Sequence, residues 1–193
     1  MKTFELKGKV REVLGKKSSK TNRAGDNVPC VLYGVGENVH FTASVSDLRK
    51  LIYTPEVFIV DLDIDGKKCK AIMKDLQFHP VSDKVLHIDF LEVNDKKPVV
   101  IEIPVKLEGL AEGVKAGGKL ALQMRKLKAK GIYTDFPEAI VVDVTNLGLG
   151  KTIQVGTISV DKLDILNAKN AVVAQVKLTR AARGAAAAAA ATK

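Results

Sequence analysis

Apolar and polar residues alternate over short runs along most of this chain, the period of a half-buried strand rather than of a helix. Phe4, Leu6 and Val10 are interleaved with charged residues, and Val28-Pro29-Cys30-Val31-Leu32-Tyr33 is a short apolar run closed by Gly34. The stretch from Val57 to Ile64 alternates until Asp65-Gly66, a dipeptide that accepts the positive φ of a type I′ turn, so it predicts a hairpin returning through Cys69 to Met73. Leu86 to Leu91 alternates again, with His87 and Asp89 on one face and Ile88 and Phe90 on the other. Short helices are expected from Ser46, as N-cap, through Asp47 to Ile52, and in the lysine-rich segment before Gly25.

The pattern breaks at Asn94-Asp95-Lys96-Lys97-Pro98, which is polar and ends in proline. A domain boundary there divides the chain into a first domain of residues 1–93 and a second of residues 98–179. In the second, the runs from Val99 to Leu107, Ala139 to Val144, Ile153 to Val160 and Ala171 to Leu178 are of β type and separated by glycine-bearing turns. This half is expected to be all-β, and the whole chain mainly β. Residues 180–193 end in Gly184 and the tract from Ala185 to Ala191, which has high helix propensity but no partner face, so a flexible tail is expected.

With 193 residues, 46% hydrophobic and 27% charged, the chain has the composition of a folded protein. Its start, Met1-Lys2-Thr3-Phe4-Glu5, has no apolar core of the length a signal peptide needs, and no apolar stretch approaches 20 residues, so a cytoplasmic protein without a membrane partner is expected. Cys30 and Cys69 lie far apart with no C-x-x-C spacing, which fits free thiols in a reducing compartment. The net charge of +9 is unevenly placed. Residues 1–23 carry eight basic residues against two acidic, residues 24–93 seven against eleven, and residues 94–193 sixteen against nine. Two basic regions in one chain favour a polyanionic partner, because each cation set against a phosphate releases condensed counterions. Charge alone is equally compatible with plain solubility.

Several motifs are weighed against blander readings. Gly148-Leu149-Gly150-Lys151-Thr152 ends like a phosphate-binding loop, but Thr145 stands where the first glycine belongs and the residues that follow alternate like a strand where a helix must begin. His40, His79 and His87 show no i, i+4 pair and no flanking cysteine, so no metal or other cofactor is expected. His87-x-Asp89 could be a base with its orienting carboxylate, yet no nucleophile accompanies it, and an enzyme is the distant third reading. The same pair suits RNA better. An RNA duplex shows 2′-hydroxyls and base edges in a shallow minor groove, where a carboxylate accepts from an amino group or 2′-hydroxyl but repels phosphate. Arg11, Lys16, Lys17, Ser18, Ser19, Lys20 and Arg23 would supply backbone contacts; otherwise that run is a solvated face.

Arg23-Ala24-Gly25, Val28-Pro29-Cys30-Val31-Leu32-Tyr33-Gly34, Lys74-Asp75-Leu76-Gln77-Phe78-His79-Pro80 and His87-Ile88-Asp89-Phe90, in that order, closely resemble the signatures of the bacterial large-subunit ribosomal protein twenty-five family. Ile103-Pro104-Val105, Gly109, Gly113-Val114, Gly117-Gly118-Lys119-Leu120, Pro137, Val142-Asp143-Val144 and Gly150 extend the resemblance to the long form, often called the general stress protein CTC. The resemblance spans about residues 3 to 178, with Cys30 standing where alanine is usual. It implies a six-stranded closed-barrel-like first domain with a few helices, docked on the loop E region of 5S rRNA in the central protuberance of the large ribosomal subunit, with 23S rRNA and ribosomal proteins as neighbours. The RNA-contacting residues it implies are Arg11, Tyr33, His87 and Asp89, joined by Lys16, Ser18 and Gln77; Lys20 and Arg23 belong with the backbone contacts. The alternative is a stress-related RNA-binding protein acting off the ribosome. Arg125, Lys126, Lys128 and Lys130 alternate too irregularly to assure one charged face, and the stretch from Lys96 to Lys130 is expected to add sequence-independent affinity for ribosomal RNA.

Overall fold

Period-two alternation buries one side of each strand, and six such strands have no exposed edge if they close on themselves. The computed structural model, which describes residues 1–95 and 97–180, shows that closure. The strands are β1 (Lys2–Val10), β2 (Asn27–Tyr33), β3 (Val39–Ser44), β4 (Phe58–Ile64), β5 (Lys67–Phe78) and β6 (Val85–Glu92). They run around the barrel in the order β1-β3-β2-β6-β5-β4, and β4 pairs back onto β1 in parallel. The β4–β5 hairpin turns on Asp65 (φ 48°) and Gly66 (φ 88°), both in the left-handed region that a type I′ turn requires. Pro29 is tolerated because β2 pairs β3 at that position while its pairing with β6 begins only at Cys30.

Inside the barrel, Phe41 and Phe90 meet with ring centroids 5.7 Å apart, ringed by Leu6, Val28, Val60, Leu62 and Ile88, all essentially inaccessible. Gly8 is where β1 crosses this pair; a Cβ there would lie 2.5 Å from a Phe41 ring carbon. Helix α1 (Lys16–Ala24) connects β1 to β2, and α2 (Val45–Ile52) follows β3 and buries Leu48 and Leu51 in the same core. The N-cap of α2 is Ser44 rather than the expected Ser46; the two hydroxyls hydrogen-bond each other at 2.6 Å.

The described residues form two compact units: Met1–Val99 with the short segment Ile132–Phe136, whose Tyr133 and Phe136 are buried, and Val100–Gly131 with the residues from Pro137 onward. The expected alanine-rich tail, apart from Arg180, lies outside the described residues. The remaining elements are β7 (Val99–Glu108), α3 (Glu112–Lys115), β8 (Lys119–Leu122), β9 (Lys126–Gly131), β10 (Ile140–Asp143), β11 (Thr152–Gln154), β12 (Asp164–Ile165) and β13 (Val172–Lys177). They make a four-stranded sheet, β10-β7-β9-β12, and a three-stranded one, β11-β13-β8. Ala111, Val144, Leu147 and Val176 form a buried cluster of this unit. Two expectations are corrected. The run from Ile153 to Val160 is a strand only as far as Gln154, because Val155–Thr157 tightens into a 3-10 turn in which the Gly156 N–H donates to the Lys169 carbonyl. Lys126, Lys128 and Lys130 do share one exposed face, since Leu127 and Ala129 between them are fully buried.

Cys30 is completely buried in the barrel, and burial pushes its thiol up to about 12; Cys69 is half-buried and raised for the same reason, with the Glu92 carboxylate adding to the effect. A thiol that stays protonated is not a nucleophile. Alkylation at pH 8 should therefore spare Cys30 in the folded protein and reach it on unfolding in urea, as mass spectrometry of the modified chain will show. Between pH 9 and 12 the unfolded chain releases a proton that folded Cys30 holds, so this group makes stability fall as pH rises.

Candidate nucleic-acid interface

With Cys30, Leu32, Ile88 and Phe90 turned into the barrel, the residues between them must face outward. Register then decides which of these meet. Val31 lies beside Asp89 and Tyr33 beside Leu91 in the parallel β2–β6 pair, while β5 sets Asp75 opposite Asp89 and Gln77 opposite His87. One outer wall thus gathers Tyr33, Gln77, His87 and Asp89, four of the residues singled out in the sequence. It also brings in Asp75, which sequence reasoning missed. A bulge in β5 between Met73 and Asp75 restores Asp75 to this face, and a one-residue slip of this kind leaves no reliable mark in a single sequence.

His87 Nδ1 lies 2.8 Å from Asp89 Oδ1, with 27% and 30% of the two side chains exposed. With Nδ1 and Oδ1 engaged by each other, Nε2 of His87 and the second oxygen of Asp89 are left for outside partners. Partial burial raises the Tyr33 phenol above its ordinary range, and the Asp89 and then the Asp75 carboxylates add to the shift. Tyr33 is accordingly a hydroxyl donor at neutral pH. The wall offers directional acceptors and donors, with carboxylates that phosphate would avoid.

The cations come from α1 and the chain leading into it. This helix buries no side chain, starts at Gly15 without a side-chain cap and ends at Gly25, whose N–H donates to the Thr21 and Asn22 carbonyls. Lys16, Lys20 and Arg23 recur at i, i+4 and i+7 on an exposed stripe, whereas Ser18, Ser19 and Asn22 on the other side are half-buried. Side-chain bonds tie the helix to the barrel. Arg11 Nη2 donates to Ser19 Oγ at 3.1 Å, the Arg11 backbone N–H to the His40 carbonyl at 2.9 Å, and Arg23 Nε to the Leu86 carbonyl at 3.0 Å. Ser18 Oγ donates to the Val13 carbonyl at 2.9 Å. Arg11 and Arg23 therefore hold α1 to the barrel, Arg23 next to His87, and Ser18 closes the turn that leads into the helix, while Lys16, Lys20 and Gln77 are exposed. Nε of Arg11 is buried without a hydrogen-bond partner among the described residues.

Elsewhere on the barrel the charges cancel: β4 sets Asp61 opposite Lys70 and Asp63 opposite Lys68, with Lys7 of β1 on the other side of Asp63. His79 has a local task, its Nδ1 accepting from the N–H groups of Val81 and Ser82 in the turn between β5 and β6. At Gly148 to Thr152 a strand follows, not a helix, so no phosphate-binding loop forms.

Comparison with known proteins matches this architecture half by half. Residues 6–90 match the Ribosomal L25p family, and residues 98–180 match the C-terminal domain of ribosomal protein TL5. The chain is 61% identical over 171 residues to the large ribosomal subunit protein bL25 of Azobacteroides pseudotrichonymphae, covering 88% of this chain and 90% of that one. It is 58% identical over 174 residues to the bL25 of Bacteroides thetaiotaomicron, with 88% and 89% covered, and 58% identical over 172 residues to that of Porphyromonas gingivalis, with 88% and 90% covered. Through the barrel and the unit that follows it, the chain belongs to the Ribosomal L25p family, in the long form that carries a TL5-type C-terminal domain.

Proposed function

We propose that this protein is a structural component of the bacterial large ribosomal subunit that binds 5S rRNA at its loop E region, in the central protuberance. The observation that carries the reading is the His87–Asp89 pair, Nδ1 and Oδ1 2.8 Å apart on an outer barrel wall with Tyr33 beside it and α1 cations at its margin. Hydrogen-bonding groups of this kind suit the amino groups and 2′-hydroxyls of an RNA minor groove, and the lysine stripe suits the flanking phosphates. Relatives named as large ribosomal subunit proteins support a structural rather than catalytic role and a place on the cytoplasmic ribosome. Residues 1–93 are the RNA-binding part in this reading, and residues 98–179 a separate β domain.

Sucrose-gradient sedimentation tests the ribosomal role. The protein should travel with large subunits in both growing and stressed cells and leave them when 5S rRNA is depleted. Sedimentation away from subunits, with RNA still bound, would favour a stress-related protein acting off the ribosome.

A further inference from the structure

Two antiparallel strand pairs set like charges directly opposite one another: Asp75 with Asp89 on the wall just described, and Lys119 of β8 with Lys177 of β13 in the second unit. Directly opposed residues have Cβ atoms roughly 4.5–5.5 Å apart, and like charges there are destabilising. Such a pair is kept at a cost unless an external group relieves it. Asp89 has relief within the protein from His87. Lys119 and Lys177 are both exposed, and neither forms an ion pair or side-chain hydrogen bond among the described residues.

The lysines of β9 do not share this condition. Lys128 has Glu102 at 3.8 Å, and Lys130 lies opposite Asp164, so these two are balanced across their own sheet. Among the described residues, no carboxylate stands in the paired rows of the three-stranded sheet on the face of Lys119 and Lys177. The next row on this face of the three-stranded sheet places Thr152, Gln175 and Ala121 side by side, and Val176 and Leu120 of the intervening row turn to the interior. One sheet face thus presents two ammonium groups with a hydroxyl and an amide behind them.

We propose that this face of the β11-β13-β8 sheet is a second RNA-binding surface, in which Lys119 and Lys177 together hold the phosphodiester backbone of a strand other than 5S rRNA. RNA rather than another polyanion follows from the ribosomal reading above. Two adjacent ammonium groups neutralise one phosphate or two successive ones, and Thr152 and Gln175 can donate to phosphate or 2′-hydroxyl oxygens. Contacts of this kind carry no sequence preference and depend strongly on salt.

The test uses the full chain, with K119Q/K177Q and K119R/K177R variants, binding either to large subunits prepared without this protein or to isolated 5S rRNA over a potassium chloride series. On subunits the Gln variant should bind on the order of tenfold more weakly at low salt, with a log–log salt slope shallower by about 2, while the Arg variant matches the parent. On isolated 5S rRNA all three should agree. Because neutralising the pair removes repulsion, the Gln variant should melt no lower than the parent. An unchanged slope and affinity on subunits would overturn the proposal, as would a lower melting temperature, which would reveal partners inside the protein. A photo-crosslinker at position 177 should label RNA; labelling of protein alone would overturn the choice of RNA. Failure of the parent chain to bind isolated 5S rRNA would count against the 5S reading, separately from the subunit result.

Discussion

Asp89→Ala is expected to weaken binding to 5S rRNA by about 1–3 kcal/mol, roughly 5- to 150-fold in Kd, and His87→Ala by a similar amount, while Lys16→Ala costs only a few-fold. The difference follows from geometry. Asp89 lies 2.8 Å from the His87 ring and is only partly exposed, so its free oxygen points in a fixed direction. Removing it leaves an RNA donor desolvated and unpaired. Loss of His87 frees Asp89 to rotate and removes the ring's Nε2 as a contact as well. Lys16, by contrast, is exposed on a helix that also carries Lys17 and Lys20, whose ammonium groups can take over a phosphate. Its loss should appear as a salt slope shallower by about 1 rather than as lost specificity. Filter binding or fluorescence anisotropy over a salt series separates the two effects, with circular dichroism confirming that each variant folds. Small and equal losses at all three positions would contradict the assignment.

A second large effect is expected in the core. Phe41→Ala removes a fully buried ring that packs on Phe90 at 5.7 Å and against the backbone of β1 at Gly8. A cavity of that origin costs about 3–5 kcal/mol, a large share of the stability of a domain this size. At about 4–8 °C per kcal/mol, the melting temperature of the barrel should drop by more than about 12 °C. Because Phe41 faces inward, 5S rRNA affinity measured well below the transition should change much less than it does in Asp89→Ala. A loss of less than about 1 kcal/mol would mean that the aromatic pair is not the centre of the barrel.

Much of this was legible in the sequence because burial on one side of a strand writes itself as alternation. The strands carrying Phe4 and Leu6, Val28 to Leu32, and Ile88 and Phe90 could be read from the pattern, and Asp65-Gly66 marked its hairpin by backbone chemistry. Elements with little apolar signal were not legible. Strand β9 buries only Leu127 and Ala129 between lysines, and β12 is two residues long. The residues from Ile153 to Val160 look like one strand, but Gly156 sits where the Lys169 backbone comes close enough that a Cβ would lie 3.1 Å from its carbonyl oxygen, and the chain turns there. In the site, the pairing of His87 with Asp89 follows from spacing alone. The presence of Asp75 depends on a bulge, and the use of Arg11 and Arg23 to anchor α1 depends on three-dimensional neighbours that no local pattern encodes.

Chemical footprinting of the full chain on 5S rRNA, nucleotide by nucleotide, tests the central claim most directly. The predicted result is protection of minor-groove positions in loop E, abolished by Asp89→Ala and by His87→Ala and merely weakened by Lys16→Ala. Protection that falls outside loop E, or that survives undiminished in both the Asp89 and His87 variants, would contradict the assignment of this barrel wall as the 5S-binding surface.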